Sequence, residues 1–254
     1  ECREGFDSVP LCGRVVHGRS LMTASFDISL ENARITAISP QNHPMATVNG
    51  FLADPIAVIS QACLQEFAKI TPQYPGLRAA LPDAVLSAWS SALSPFLSRV
   101  FGEGPGRWSM QAWYSIVSLP PERLHPIQRL PHVDGTDPRQ VAMMLYLHRT
   151  GHGGTAFFRH RSTGLEALTA ADWPHYKAAL EGEIAQHGLP PAAYVTDGAP
   201  HFERIHASEG GFNQAMFYRG NLLHSGVIDN AAPLSPDPRE GRLTINAFFR
   251  PPQD

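Results

Sequence analysis

His132 and Asp134, two positions apart in Pro131-His132-Val133-Asp134-Gly135, and His224, in Gly220-Asn221-Leu222-Leu223-His224-Ser225-Gly226, have the types and spacing that point to chemistry. On a β-strand, residues i and i+2 face the same side, so His132 and Asp134 can reach one ion together. His224 has to be delivered by a distant strand. Two imidazoles and one carboxylate are the ligand set that holds Fe(II) on one face and leaves the opposite face open. Such a centre predicts an oxygen-activating enzyme rather than a binding module. A His-x-Asp pair alone carries little weight in a chain with 12 histidines. The surrounding sequence supplies the rest.

The elements that position these residues follow from the pattern of the chain. A length of 254 residues with 43% hydrophobic content suits one large β-rich domain with a sizeable core. The 23 prolines and 21 glycines, spread throughout, predict many short elements joined by turns. Short strands are expected at 14–17 and 33–38. Asp54-Pro55 reads as an N-cap followed by proline at the first helical position, with Ile56, Ile59, Cys63 and Phe67 repeating at helical spacing. A second helix opens at Asp83 and carries Val85, Trp89, Leu93, Phe96 and Val100 on one stripe. Pro95 is expected to kink or split it.

From about residue 109 the texture turns to strands, at 111–117, 141–147, 155–158, 202–206, 214–218 and 242–249. A helix over 169–185, with Thr169 as N-cap, interrupts them. Helices first and strands after predict a mostly β fold with α, a double-stranded β-helix (jelly-roll or cupin-like) core buttressed by N-terminal helices. Residues 1–254 read as a single domain. Within it, 1–108 supply N-terminal strands and supporting helices, and 109–254 form the core with a helical insertion near 169–186.

Formal charge is -3 and there is no long run of like charges, so neither nucleic acid nor an anionic membrane is an expected partner. No apolar stretch approaches the roughly eighteen residues of a membrane-spanning helix. Cys2, Cys12 and Cys63 are odd in number and lack a CxxC spacing, which argues against a disulfide framework or a zinc ribbon. The first residues carry no apolar signal segment, and a reducing cytoplasmic location is expected, with the pairing of Cys2 and Cys12 left open.

Around the histidines the sequence becomes specific. His132-Val133-Asp134 is followed by Leu145-Tyr146-Leu147, then by Gly153-Gly154-Thr155-Ala156-Phe157. Leu223-His224-Ser225-Gly226 and Arg242-Leu243-Thr244-Ile245-Asn246 come later. This succession resembles the prolyl-hydroxylase-like branch of the 2-oxoglutarate/Fe(II)-dependent oxygenases, including bacterial members of unassigned function, over roughly residues 109–250. The resemblance implies Fe(II) held by His132, Asp134 and His224, with 2-oxoglutarate as cosubstrate and O2 as oxidant. It also implies Arg242 as the bidentate partner of the far carboxylate, Thr244 beside it, and Tyr146 near the cosubstrate.

Arg219, in a turn, and Arg250, at a strand end, are competitors for the anchor, and Tyr114 and Asn221 are weaker site candidates. His148, His152, His160, His201 and His206 read as non-ligands. The spacing from His224 to Arg242 is longer than is common in that branch, and 230–238 reads as an inserted loop. Segments 169–186 and 231–238 are candidate lids.

The implied reaction hydroxylates an unactivated C–H of an amino-acid side chain, a peptide or another small molecule, releasing succinate and CO2. The retained Asp134 favours hydroxylation over halogenation, for which the family replaces the carboxylate by a small residue. The expected assembly is a monomer or homodimer. Two other readings stand beside this one. A cupin-like metal dioxygenase or isomerase would make Arg242-x-Thr244 structural. A non-catalytic barrel that binds a peptide or sugar would have a plugged pocket.

Overall fold

Strand alternation builds two facing antiparallel sheets. The computed structural model describes residues 26–149 and 151–252; the strand expected at 14–17, Cys2 and Cys12 lie outside them. The larger sheet has seven strands in the order β1 (Ala33–Ala37), β2 (Pro44–Asn49), β9 (Gln214–Arg219), β5 (Val141–Tyr146), β11 (Arg242–Arg250), β4 (Ser109–Val117) and β3 (Gly76–Ala80). The smaller has four, in the order β10 (His224–Gly226), β6 (Thr155–His160), β8 (Phe202–Ala207) and β7 (Gly198–Ala199). The protein is mostly β, with the jelly-roll fold of a double-stranded β-helix.

Period-two alternation along β11 decides what each face of the larger sheet does. Leu243, Ile245, Ala247 and Phe249 enter the main core, while Arg242, Asn246 and Phe248 turn toward a cavity. The outer face is covered by α1 (Pro55–Ala62) and α2 (Asp83–Phe101). Asp54 caps α1, its Oδ1 accepting the Ala57 N–H at 2.9 Å. α2 buries Val85, Trp89, Leu93 and Phe96 against Phe51 and Phe217, each side chain contributing about 1.5–3 kcal/mol of hydrophobic stabilisation. Phe217 is the hub, meeting Phe96 edge-on at 5.4 Å and Phe51 at 6.1 Å.

Three expectations need correction. α2 is not split at Pro95 but continues to Phe101. The carbonyl that loses its donor there belongs to Ser91, and both residues lie on the exposed face, where water replaces the bond. α1 buries Val58 and Ala62 rather than the expected stripe, leaving Ile56 54% exposed. The helix ends at Ala62, so Cys63 and Phe67 continue its spacing without being on it. The third helix, α3 (Trp173–His187), starts after Thr169. Thr169 Oγ1 and N both donate to Asp172 Oδ2, at 2.6 and 2.9 Å, closing a turn ahead of the helix.

α3 covers the outer face of the smaller sheet, packing Tyr176, Leu180 and Ile184 with Phe158 and Phe202. β2, β3 and the short β7 and β10 were not expected. No helix among the described residues is long and apolar enough to cross a membrane.

Candidate metal centre

The segment carrying His132 and Asp134 runs antiparallel to the one carrying His224. His132 N–H donates to the His224 carbonyl at 2.9 Å, and His224 N–H returns a bond to the His132 carbonyl at 2.8 Å. One step further, Asp134 N–H donates to the Gly220 carbonyl at 2.8 Å. Residues paired in this way point to the same side, and Asp134 joins that side at i+2. Asp134 Oδ2 is 3.6 Å from His224 Nε2, and Asp134 Oδ1 is 3.9 Å from His132 Nε2. Ligand atoms from the three residues all lie within 4.8 Å of one another.

Each donor is in the protonation state that a cation requires. His224 Nδ1 lies 2.9 Å from the Leu222 carbonyl, which can only accept; the ring proton therefore sits on Nδ1 and Nε2 keeps its lone pair. Burial lowers His224 to about 4. Desolvation, then the neighbouring His224, lowers His132 to about 4. That ring is 53% exposed into the cavity, where water relieves part of the effect. Desolvation raises Asp134 to about 6, and its buried Oδ2 has no hydrogen-bond partner among the described residues. Two neutral imidazoles beside an unsatisfied buried carboxylate oxygen fit a divalent metal ion.

These side chains open into a cavity of about 450 Å³ between the sheets, which Arg242 also lines. Arg242 is 2% exposed. Its Nη2 donates to the Gly153 and Gly154 carbonyls at 3.1 and 2.8 Å, whereas Nε is unpartnered. No carboxylate among the described residues forms an ion pair with it. A Cβ placed on Gly226 would lie 3.7 Å from Arg242 Nη2. Gly226 is two residues from His224 on β10, so the guanidinium stands on the order of 7 Å along the strand from the metal ligands.

A family described as being of unknown function, DUF6445, matches residues 31–249. The chain belongs to this family. No curated protein matches it. Among solved structures, a Pseudomonas putida prolyl-4-hydroxylase is 14% identical, over 84% of this chain and 95% of that one, with a TM-score of 0.43. HygX from Streptomyces hygroscopicus, with nickel, 2-oxoglutarate and hygromycin B bound, is 9% identical over 82% of each chain, with a TM-score of 0.45. SnoN, a non-heme alpha ketoglutarate dependent epimerase from nogalamycin biosynthesis, is 11% identical over 83% of this chain and 82% of that one, also at 0.45. Identities this low speak to chain trace and not to chemistry.

In this DUF6445 chain the remaining candidates divide clearly by position. Thr244 is buried, its hydroxyl donating to Asn246 Oδ1 at 2.7 Å. Tyr146 lies outside the cavity lining. Its hydroxyl is 2.9 Å from Thr155 Oγ1, and its ring supports Arg242, whose guanidinium carbon is 5.9 Å from the ring centre. Arg219 binds Glu103 and the Phe101 carbonyl at the end of α2, and Arg250 is exposed. Tyr114 faces the main core, and Asn221 braces the turn at Leu168. His201 and His160 share Glu183 on α3, at 3.3 and 3.0 Å. Of the two candidate lids, α3 borders the cavity through Trp173, Tyr176 and Leu180. The loop after Asp229 clamps Tyr194, another lining residue, through Asn230.

Sequence reading missed Tyr74, Arg78 and Tyr194, all in the cavity wall. The Tyr74 hydroxyl is buried close to Ser115 and Thr244 without a hydrogen bond of good geometry. The signal for the first two was the Pro75-Gly76 turn, which opens the short edge strand β3.

Proposed function

We propose that this protein is an Fe(II)- and 2-oxoglutarate-dependent dioxygenase that hydroxylates an unactivated C–H of an amino-acid side chain, a peptide or another small molecule. The carrying observation is Arg242, a buried guanidinium without a carboxylate partner, set beside three residues that fit a divalent metal. A buried cation left unpaired is costly, and a five-carbon dicarboxylate has the length to join it to a metal at His224. Bound iron and 2-oxoglutarate would supply O2 activation, coupling decarboxylation to succinate and CO2 with oxidation of the substrate.

The chain's own contribution is placement. His132, Asp134 and His224 would hold the metal from one side, with the Leu222 carbonyl fixing the His224 ring. Arg242 would grip the far carboxylate, supported by the ring of Tyr146 and flanked by the hydroxyl of Tyr74. Walls from both sheets exclude bulk water and strengthen these contacts. A cupin-like reading leaves the buried Arg242 without an anion, and a non-catalytic barrel would have a plugged pocket where this cavity is open.

The test is an anaerobic titration of the Fe(II)-loaded protein with 2-oxoglutarate, followed by the visible metal-to-ligand charge-transfer band, with Arg242→Ala alongside. The expected result is a band in wild type that needs far more 2-oxoglutarate in the variant. Iron binding with no band would sink the assignment.

A further inference from the structure

Arg78 is a second guanidinium in the cavity wall, and it is less satisfied than Arg242. Its buried Nε has no partner, and its side chain forms no hydrogen bond or close ion pair among the described residues, with the Asp134 carboxylate acting on it only at longer range. It is nevertheless held in place. Its guanidinium carbon lies 4.2 Å from the centre of the Tyr74 ring and 5.4 Å from that of Trp113. An arginine stacked on aromatic faces keeps its hydrogen-bonding edge free for a planar anion.

Register sets Arg78 and Arg242 on different strands of the larger sheet. Arg78 lies opposite Ser115, and Ser115 lies opposite Thr244, so β4 separates Arg78 from β11 by two strand spacings, roughly 10 Å. Trp113, which Arg78 approaches, is level with Asn246, on the far side of Thr244 from Arg242. The Arg78 guanidinium is held between the Tyr74 and Trp113 rings, whereas Arg242 turns to the Gly153 and Gly154 carbonyls. Asp134 is the acid in the described cavity wall, and a metal would claim it. Near these charges the wall is apolar, formed by Ile127, Leu130, Val133, Met144 and Phe248.

We propose that Arg78 binds the carboxylate of the molecule to be oxidised, and that this substrate is a small carboxylic acid with an apolar body. The proposal rests on the oxygenase reading for its chemistry but not for its anion site. It is tested by calorimetry on the Fe(II)-loaded protein under anaerobic, saturating 2-oxoglutarate. The probes are hexanoate, 4-methylpentanoate and 3-phenylpropanoate, each compared with its primary amide.

At least one acid is expected to bind wild type about tenfold or more tightly than its amide. Arg78→Met should bring that acid down to the level of the amide and leave the amide and the 2-oxoglutarate titration unchanged. Arg78→Lys, which keeps the charge without the planar fork, should recover part of the preference and guards against misfolding of the first variant. If no acid is preferred over its amide, or if Arg78→Met weakens 2-oxoglutarate and not the acids, the proposal is overturned. A wild-type protein that gives no charge-transfer band sinks the oxygenase reading alone. The acid and amide comparison, repeated without 2-oxoglutarate in Arg242→Gln, then decides Arg78 separately: dependence on Arg78 retains the anion site, and independence removes it.

Discussion

His132 and His224 are a cross-strand pair that exchanges both backbone hydrogen bonds, at 2.9 and 2.8 Å, with their ring centres 4.4 Å apart. Backbone pairing brings the imidazoles together before any ion is involved. Asp134 is the member of the trio that gains most from a metal, since desolvation already raises it. An acid whose folded pKa lies above its unfolded value destabilises the fold once pH exceeds the unfolded pKa, because ionising it in the fold is unfavourable. Metal-free Asp134→Asn is therefore expected to be about 1–3 kcal/mol more stable than metal-free wild type at pH 7.5. It should also lose the rise in melting temperature that added Fe(II) or Ni(II) gives wild type. Thermal melts with and without metal check both halves, and an unchanged metal response would remove Asp134 from the ligand set.

Two tyrosines near Arg242 are expected to behave differently. Tyr146→Phe removes a hydroxyl already committed to Thr155, so it should cost about 1 kcal/mol of stability and leave 2-oxoglutarate binding nearly unchanged. Tyr74→Phe removes a hydroxyl with no such commitment. It should weaken 2-oxoglutarate about fivefold with little effect on stability. Urea midpoints and the charge-transfer titration separate the two, and the opposite assignment would restore Tyr146 as a direct contact.

Acid sensitivity should trace in part to His148. This residue is 5% exposed, and desolvation followed by repulsion from Arg242 lowers it to about 3. A histidine held neutral in the fold binds fewer protons than in the unfolded chain between that value and its ordinary 6.5. Stability is thus full above 6.5 and falls as the pH drops toward 3. By pH 5 the loss from this residue is at most about 2 kcal/mol. Urea unfolding at pH 7.5 and 5.0 should show a smaller drop for His148→Gln than for wild type.

Gly154 sits where two backbones nearly touch. A Cβ there would fall 2.2 Å from Ser208 Oγ and 2.7 Å from the Gly210 nitrogen. Gly154→Ala should cost about 2 kcal/mol or more and weaken 2-oxoglutarate binding by shifting a carbonyl that Arg242 uses. Gly151→Ala, with nothing within 4 Å, is the matched control and should be close to neutral on both counts.

The strands bearing His224 and Arg242 could be anticipated because alternation and motif spacing are local properties of the chain. The cavity's other cation could not. Arg78 lies on an edge strand of five residues, too short to show a period, and its inward direction depends on pairing with β4. Tyr194 enters through a loop that Asn230 fastens from far along the sequence. Tyr146 shows the converse: its motif suggested a place near the cosubstrate, and its bond to Thr155 came only with the fold. A sequence displays which side chains share a strand face, but which hydroxyl is already engaged is settled between strands.

Tyr146 with Thr155, and Arg242 with Gly153 and Gly154, fasten the two sheets near the β5–β6 connection. A second tie joins the sheets elsewhere, where Ser39 and His43 at the β1–β2 turn meet Glu166, itself bonded to Arg159 on β6. Clamped at two places like a book held at spine and fore-edge, the cavity admits what matches its width and is not pried open by what does not.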